Sequence, residues 1–323
     1  MRVLNDREYD LFERLAMLSQ AELHKTLSTY LKGKYKNIII QKEYIVAIGD
    51  IPIALVAHMD TVFYQQMTHM YYDQRKGVMW SPEGLGADDR AGIYMILQIV
   101  QSGLRPSIIL TTDEERGGLG AQKLAKTDCP VPSLRYMIQL DRHGANDCVF
   151  YDCANSDFID YIESFGFSEA VGSFSDISFL MPAWKICGVN LSVGYNDEHS
   201  TSETLNVNWM YRTLEIVKRM LSAEKIPTFA YEEMPSKLKN YYKVISDYEA
   251  DYDLGMPCAC CGKHFFDFEL IPARSKSEKK MVFYCPDCAV DKIEWCDECG
   301  RAFELKSEDD LCICPDCVEA LVC

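Results

Sequence analysis

The amino-acid sequence predicts an α/β protein, in which a mixed, mostly parallel sheet carries helices on both faces and a small cysteine-rich module follows. Two observations lead to this prediction. Short β-rich apolar runs alternate with amphipathic stretches through the first 224 residues, which is the pattern of strands joined by covering helices. The cysteines are concentrated at the other end of the chain, where 11 of the 15 lie at or after Cys258.

The helices and strands follow from the spacing of the apolar residues. Residues 6–32 carry apolar side chains at helical spacing, which predicts one or two helices. The run IPIALVAH (51–58) is almost continuously apolar, as expected of a central strand. The other predicted strands are 37–40, 44–48, 107–112, 134–140 and 187–193. The other predicted helices are 89–103, 118–126, 156–165, 175–181 and 207–223.

Three segments are expected along the chain. Residues 1–224 form the α/β domain. Residues 225–257 are rich in tyrosine and acid and are predicted to be a linker with a short helix near 235–246. Residues 258–323 form the cysteine-rich module.

The composition argues against several classes of partner. With 323 residues and 48% hydrophobic content, the chain can bury a sizeable core. Its net charge of −16 argues against nucleic acid, because phosphate binding needs a basic face. No apolar run approaches the ~18 residues of a membrane span, and the N-terminal stretch lacks a signal-peptide core. We therefore expect a cytoplasmic protein with reduced thiols and no membrane partner.

Acids and histidines follow the predicted strands of the first domain or open the next helix. They are His58 and Asp60, Asp88 and Asp89, Glu114 and Glu115, Asp141, and His199. Sites in open α/β sheets form at the carboxyl ends of the strands, so we expect these side chains to converge. Imidazoles and carboxylates suit a pair of Zn²⁺ ions that share a bridging carboxylate. Two adjacent glutamates can then divide the work, one as a metal ligand and the other as a proton acceptor.

Five motifs in the chain resemble the metal-site motifs of the co-catalytic zinc exopeptidases, the relatives of bacterial leucine aminopeptidase, glutamate carboxypeptidase and peptidase T. The motifs are HMDTV (58–62), GADDRAG (86–92), DEERGG (113–118), LDRHG (140–144) and DEHSTSE (197–203). The stretch FSDISFLMPAWKICGVNLSVG (174–194) also resembles the segment before the last histidine ligand in the aminopeptidase branch. The resemblance covers about residues 35–220.

The resemblance implies a role for each matching residue. Asp88 would bridge two metal ions, with a cis peptide bond to Asp89. One ion would be completed by Glu115 and His199, and the other by His58 and Asp141. Glu114 would be the general base and then the general acid. Asp60 would accept a hydrogen bond from the second nitrogen of the His58 ring and fix its tautomer.

The chain also departs from the family pattern. Arg90 stands where the family often has lysine, which keeps the charge. Only 57 residues separate Asp141 from His199, which leaves no room for the dimerisation domain that the carboxypeptidase branch inserts there. This favours the compact aminopeptidase-like core and removes the residue that the inserted domain would supply to stabilise the oxyanion. His143 and Tyr195 are local candidates for that role.

The cysteine-rich module contains four Cys-x-x-Cys pairs, each of which can present two thiolates to one metal ion. The pairs are Cys258/Cys261, Cys285/Cys288, Cys296/Cys299 and Cys314/Cys317. They predict two Cys₄ zinc sites of the zinc-ribbon type, either in tandem, which we favour, or interleaved. Cys260, Cys312 and Cys323 remain outside the pairs, with Cys312 as an alternative to Cys314.

The sequence thus predicts a metallo-exopeptidase with two catalytic and two structural Zn²⁺ ions, the catalytic site also being open to Co²⁺ or Mn²⁺. Aminopeptidase action on peptides is the first choice, and hydrolysis of N-acyl amino acids or other amide conjugates is the alternative. A rival class is a non-catalytic scaffold that binds proteins through its zinc ribbon. The module carries 8 Lys+Arg against 14 Asp+Glu, so we expect it to contact protein, a partner or a second copy, rather than nucleic acid.

Overall fold

The computed structural model describes residues 2–63, 67–234, 256–261, 263–265, 270–275, 281–296 and 302–304. Contacts within the chain divide it into two compact units, Met1–Tyr242 and Lys243–Cys323. In the described residues, no helix is both long and apolar enough to cross a membrane.

The first unit alternates strands and helices, as predicted. Its described helices are α1 Asp6–Met17, α2 Gln20–Lys32, α3 Ala87–Gln101, α4 Leu119–Leu124, α5 Ser156–Glu163, α6 Asp176–Trp184 and α7 Val207–Leu221. Its described strands are β1 Asn37–Ile40, β2 Tyr44–Ile48, β3 Ile51–His58, β4 Tyr71–Asp73, β5 Val78–Trp80, β6 Pro106–Thr111, β7 Tyr136–Arg142, β8 Asp147–Val149, β9 Ser168–Glu169, β10 Cys187–Ser192, β11 Tyr195–Asn196 and β12 Thr204–Asn206.

The main sheet has eight strands in the order β1-β2-β6-β3-β7-β10-β8-β9. Its centre, β6-β3-β7-β10, is parallel. On one side β1 pairs antiparallel with β2 and β2 with β6, and on the other β8 pairs antiparallel with β10 and parallel with β9. The middle of β3 is fully buried from Ile53 to Ala57, because α3 packs on β3 and β7 while α6 packs on β3 and β10. The predicted mixed, mostly parallel α/β class is therefore confirmed, and the carboxyl ends of four parallel strands meet at one edge.

The two N-terminal helices are separated by a strong helix-start signal. Ser19 caps α2, with its hydroxyl accepting the backbone N–H of Glu22 while the Glu22 carboxylate accepts the N–H of Ser19. Asn5 and Glu8 form the same reciprocal arrangement at the start of α1. Because both pairs satisfy N–H groups that the helix cannot, residues 6–32 form two helices rather than one.

A second, antiparallel sheet of four short strands, β11-β12-β5-β4, was not predicted. Its strands have only two or three residues each, too few to show the alternation by which a strand is recognised in sequence. This sheet brackets the loop that carries His199.

The residues just after α7 belong to the packed body of the first unit. Ile226, Phe229 and Tyr231 pack against its core, and the N–H of Ala154 donates to the carbonyl of Glu232 at 2.8 Å. The described part of the predicted linker, residues 225–234, thus packs against the first unit. The short helix predicted near 235–246 lies outside the described residues.

The second unit is built from short strands and one helix. They are β13 Met256–Pro257, β14 His264–Phe265, β15 Ile271–Arg274, β16 Met281–Tyr284, α8 Pro286–Lys292, β17 Ile293–Trp295 and β18 Ala302–Glu304. A hairpin pairs β13 with β14, and a four-stranded sheet has the order β16-β15-β18-β17. Its small apolar cluster includes Leu270, Ala273 and Ile293, and it surrounds Cys258 and Cys285.

Candidate active site

The five predicted metal ligands converge at the carboxyl edge of the parallel strands. His58 ends β3, and its Nε2 lies 2.9 Å from Asp88 Oδ1 and 3.4 Å from Asp141 Oδ1. His199 Nε2 lies 3.2 Å from Asp88 Oδ2 and 3.1 Å from Glu115 Oε2. Asp88 therefore faces both imidazoles, one with each oxygen. The result is two overlapping ligand sets that share Asp88, in each of which the ligand atoms lie within 4.8 Å of one another.

Unusual backbone conformations place these side chains. The Asp88–Asp89 peptide bond is cis, as the resemblance implied. His199 has a φ of 61° and Asp113, just before the two glutamates, has a φ of 55°. Non-glycine residues seldom adopt positive φ, and such residues cluster at functional sites where the surroundings hold them.

The carboxylate of Asp89 is held by two backbone N–H groups rather than facing the two histidines. Its carboxylate accepts the N–H of His58 at 3.2 Å and the N–H of Gly92 at 2.9 Å. Asp89 therefore ties the end of β3 to the start of α3 and leaves Asp88 to face the histidines.

Asp60 organises both the imidazole and the two glutamates. Its Oδ1 lies 3.3 Å from His58 Nδ1, the nitrogen for which the resemblance implied a hydrogen bond, but that nitrogen makes no hydrogen bond among the described residues. The same carboxylate accepts the backbone N–H groups of Glu114 and Glu115, each at 3.0 Å. Burial raises the pKa of Asp60, but these partners outweigh burial and lower it, so the group stays ionised.

Glu114 is 7% exposed, and its carboxyl lies within 4.8 Å of ligand atoms of His58 and Glu115. Burial raises the pKa of Glu114 well above its ordinary value, and the charges of Asp141, Asp176 and Glu115 add to burial while His58 opposes it. A buried carboxyl group with a raised pKa beside a possible metal-ligand set is a candidate for taking up and releasing a proton in a reaction.

The buried carboxylates of the site shift one another's pKa values and those of the neighbouring histidines. Burial and Asp88 raise the pKa of Asp141 to about 7 and raise that of Glu115. Burial lowers the pKa of His199, but Asp88 and Glu115 outweigh it and raise this pKa to about 12. Glu115 Oε1 is buried and has no hydrogen-bond partner among the described residues. Buried carboxylates at this density need a counter-charge, and a set of carboxylate oxygens and imidazole nitrogens fits divalent zinc.

Glu203 is a site residue that the sequence analysis missed. It is fully buried, and its carboxylate accepts the N–H of Gly86 at 2.5 Å and the N–H of Asp88 at 3.1 Å. Glu203 thereby connects the loop that carries His199 to the backbone of Asp88. The signal was available, since Glu203 closes the DEHSTSE motif, but nothing in the sequence indicates which backbone it contacts.

A second set of polar groups holds Asp141. Its Oδ2 accepts hydrogen bonds from Gln139 Nε2 at 3.0 Å and Ser175 Oγ at 3.2 Å. Asp176 is the first residue of α6, and Ser175 is the N-cap of that helix. Asp176 instead points inward and accepts the hydroxyl of Thr111 at 2.5 Å.

The two oxyanion candidates are both tied into this network. Tyr195 is 2% exposed, and its hydroxyl donates to Asp141 Oδ1 at 3.2 Å. His143 Nδ1 is hydrogen-bonded to the carboxylate of Glu198. Tyr195 thus contacts a predicted metal ligand, and His143 lies in the loop that follows the same ligand.

The side chain of Arg90 donates hydrogen bonds to backbone carbonyls. Its guanidinium is buried and donates to the carbonyls of Met59 at 2.6 Å, Leu15 at 3.0 Å and Leu18 at 3.0 Å. It therefore fastens the end of α1 to the turn after β3, and it forms no hydrogen bond to the site carboxylates among the described residues.

In the second unit, the thiols of Cys258, Cys261, Cys285 and Cys288 lie within 4.8 Å of one another. This is the sequential arrangement of the first two pairs. Burial raises the pKa of Cys258, but backbone N–H groups of Cys261, Cys285 and Cys260 outweigh it and lower this pKa to about 6, which favours a thiolate. Cys296 directly follows β17. The other cysteines of the predicted second site, Cys299, Cys314 and Cys317, lie outside the described residues, as do Cys312 and Cys323.

Comparison with known proteins identifies the fold. No protein-family model and no curated protein sequence matches the chain. Among solved structures, a tripeptidase from Staphylococcus aureus is similar with a TM-score of 0.54 and 14% identity, over 68% of this chain and 100% of its own. A TET aminopeptidase from a marine-sediment thaumarchaeon gives 0.51 and 13%, over 69% of this chain and 98% of its own.

The aminopeptidase PepT from Bacillus cereus is similar as well, with a TM-score of 0.50 and 14% identity over 67% of this chain and 97% of its own. At such low identity the likeness concerns the fold. The chain therefore contains the α/β fold of these peptidases, with the predicted ligands at the edge of its parallel strands.

Proposed function

We propose that the protein is a metal-dependent aminopeptidase, which hydrolyses the first peptide bond of short peptides with a pair of divalent cations. One observation carries the proposal. Asp88 lies between His58 and His199, and each of these histidines has a further acid beside it, Asp141 or Glu115. That arrangement can hold two cations with a shared carboxylate, which is the ligand pattern of two-metal hydrolases.

His58, Asp88 and Asp141 would hold one cation, and Asp88, Glu115 and His199 the other. When bound, the cations would supply a polarised substrate carbonyl and an acidified water. Zinc is the cation that the ligands favour, with Co²⁺ or Mn²⁺ as alternatives. Asp60 and Glu203 would hold the ligands in place, Asp60 through His58 and Glu203 through the backbone of Asp88.

Glu114 would move the proton. Its carboxylate would accept a proton as water attacks the carbonyl carbon and would then donate it to the leaving amine. Its backbone is fixed by Asp60 at 3.0 Å, so the side chain is held at the ligand sets without being needed as a ligand. Tyr195 and His143 are the proposed donors to the oxyanion, with Tyr195 also orienting Asp141.

We further propose that Cys258, Cys261, Cys285 and Cys288 bind a structural Zn²⁺ ion, supported by the closeness of their thiols. A second Cys₄ site would use Cys296, Cys299, Cys314 and Cys317. The module would then fold around its metals, since its apolar cluster is small. Its proposed role is contact with protein, a partner or a second copy, in a reducing cytoplasm.

The test is a substrate screen on the zinc-loaded chain. Aminoacyl amides and free dipeptides should be hydrolysed, whereas dipeptides blocked at the amino group should not. Hydrolysis of N-acyl amino acids alone would move the protein to the amidohydrolase class. Absence of hydrolysis in every series, with both core cations bound, would favour the scaffold function.

A further inference from the structure

The strand β7 is irregular where it reaches the candidate active site. It advances by three residues from Gln139 to Arg142, while its parallel neighbour β10 advances by two, from Asn190 to Ser192. The extra residue makes a β-bulge, a feature that redirects side chains and is frequent next to active sites. Because the bulge interrupts the strict alternation of side chains along the strand, Asp141 and Arg142 need not point to opposite faces of the sheet.

The side chains of Asp141 and Arg142 both lie near the hydroxyl of Tyr151. Asp141 Oδ2 accepts the Ser175 hydroxyl at 3.2 Å. The Tyr151 oxygen accepts a hydrogen bond from Asn190 Nδ2 at 3.1 Å, and the same nitrogen lies 3.4 Å from Ser175 Oγ. Burial raises the pKa of Tyr151, the charge of Asp141 adds to the rise, and the charge of Arg142 opposes it. The Arg142 guanidinium thus belongs to the same group of side chains as the Asp141 carboxylate.

The charge of Arg142 has no partner within the described residues. The residue is half-buried, and its Nε is buried without a hydrogen-bond partner there. Two other arginines near the proposed ligands are engaged, since Arg90 donates to backbone carbonyls and Arg116 Nη1 lies 3.3 Å from Asp113. A partly buried cation without a counter-charge is unfavourable, so an anionic ligand would complete the surroundings of Arg142.

Arg142 is also at a place that a substrate can reach. Its side chain is partly exposed, and it directly follows Asp141, a predicted metal ligand. Tyr151 beside it has a φ of 49°, a conformation that bulky residues adopt only where the surroundings hold them and that clusters at functional sites. The Tyr151 hydroxyl donates to the carbonyl of Phe174 at 3.5 Å, and Phe174 is 41% exposed. This group of side chains therefore extends from the ligand sets to the surface.

We infer that Arg142 binds a carboxylate of the substrate and selects peptides with a negative charge next to the scissile bond. The inference rests on the proposed peptidase function and adds the substrate class to it. A guanidinium pairs with a carboxylate through two parallel hydrogen bonds, which gives specificity as well as affinity. The carboxylate can come from an acidic side chain or from the free C-terminus of a dipeptide, and the experiment separates these sources.

Three pairs of substrates, each differing in one carboxylate, are compared by kcat/KM on the zinc-loaded full chain. Glutamyl against glutaminyl p-nitroanilide tests the side chain of the first residue. Alanyl-glutamic diamide with a free side-chain carboxylate, the α-amide of Ala-Glu, against the α-amide of Ala-Gln tests the side chain of the second. Ala-Ala against its C-terminal amide tests the terminal carboxylate. The variants are Arg142→Met, which removes the charge, and Arg142→Lys, which keeps the charge but not the paired donors.

In one of the three pairs, we expect the wild-type protein to prefer the substrate with the carboxylate. Arg142→Met should lower that preference ~10–100-fold, because a hydrogen bond to a charged group contributes about this much. Arg142→Lys should keep part of it, and the neutral member of each pair should be hydrolysed at nearly the wild-type rate. The matched control is Arg116→Met, which removes an arginine that is close to the ligands but 74% exposed, and which should leave every ratio unchanged.

Thermal unfolding identifies a variant that does not fold, and Arg142→Gln then replaces Arg142→Met with the same expected loss. A wild-type protein without preference in any pair would overturn the assignment, as would an unchanged preference in the folded variant. An equal loss for both members of each pair, or the same change in Arg116→Met, would also overturn it, since Arg142 must discriminate by the carboxylate. In all these cases hydrolysis of the neutral substrates by the wild type upholds the peptidase function, whereas hydrolysis of none removes both.

Discussion

At the scale of single residues, the adjacent acids Glu114 and Glu115 have different surroundings. Glu115 Oε2 lies 3.1 Å from His199, and its other oxygen has no partner among the described residues. Glu114 is buried beside the same atoms, with a raised pKa. The two neighbours in sequence thus differ in their contacts, and this difference is compatible with the proposed roles of Glu115 as a ligand and Glu114 as the proton carrier.

The first prediction uses that difference. Glu114→Gln keeps the shape of the side chain but cannot accept a proton, so turnover should fall ~10²–10⁴-fold while the metal content stays at the wild-type value. Glu115→Gln should instead lower the zinc content, with activity partly restored by excess zinc. Metal analysis and turnover on both variants make the comparison. Near-normal turnover in a zinc-replete Glu114→Gln protein would exclude Glu114 as the base.

The second prediction concerns Glu203, whose carboxylate accepts the N–H groups of Gly86 and Asp88. Glu203→Gln replaces one acceptor oxygen by an N–H₂ donor, so the backbone of Asp88 should lose support. Residues that orient a metal ligand typically contribute ~10–100-fold to metal affinity, and we expect a zinc affinity lower by about that factor. Competition with a chromophoric chelator measures it.

A matched control for Glu203 is Glu215→Gln, because the Glu215 side chain is 64% exposed and pairs only with Lys218 among the contacts of the described residues. Its zinc affinity should equal that of the wild type. Equal affinities in the two variants would mean that Glu203 does not position Asp88.

At the scale of elements, α1 supports the site through its C-terminal end, where the carbonyls of Leu15 and Leu18 accept hydrogen bonds from the Arg90 guanidinium.

The third prediction concerns the N-terminal end of α1, where Asn5 is the N-cap. Asn5→Ala removes the side-chain acceptor for the N–H of Glu8 and should cost about 1 kcal/mol. For a unit of this size that is a fall of about 2–4 °C in the unfolding midpoint. Arg7→Ala, an exposed change in the same turn, should shift it by much less.

The elements also show what the sequence could and could not predict. Long apolar runs such as 51–58 and 107–112 became the central strands β3 and β6, because burial on both faces leaves a clear pattern. The strands of the small sheet have no such pattern, since they have two or three residues each.

The same contrast holds at the site. The residues of the two proposed ligand sets could be predicted because five short motifs carry acids and histidines at strand ends. Glu203 was missed because its role depends on contact with Asp88, which is 115 positions away in the chain. Such a contact arises only when β12 and the start of α3 come together in the fold.

At the scale of the whole molecule, the metal-free site should make stability depend on pH. Burial raises the pKa of Glu203 to about 8, and burial with Asp88 raises that of Asp141 to about 7. The folded protein therefore keeps these protons longer than the unfolded chain, and stability falls as pH rises from about 4 to 8. The raised pKa of His199, about 12, acts in the same direction: its contribution is complete below pH ~6.5 and is lost as pH rises towards 12.

Asp60 and Asp88 have lowered pKa values. Their contribution is present above pH ~4 and is lost only at lower pH, so it is constant between pH 6 and 9. Glu203, Asp141 and His199 thus all weaken the metal-free fold as pH rises. Bound zinc should reverse the trend, because its ligands must give up protons and its affinity therefore increases with pH.

The fourth prediction follows. In excess chelator, the unfolding midpoint of the first unit should fall by at least about 5 °C between pH 6 and pH 9, because a shift of one pKa unit corresponds to ~1.4 kcal/mol. With saturating zinc it should stay level or rise. Tryptophan fluorescence reports mainly on this unit, since three of the four tryptophans, Trp80, Trp184 and Trp209, lie in it. In excess chelator, Glu203→Gln should show a smaller fall of the unfolding midpoint between pH 6 and pH 9, because it removes one of the titrating groups. A metal-free midpoint that rises with pH would contradict the raised pKa values of these buried groups.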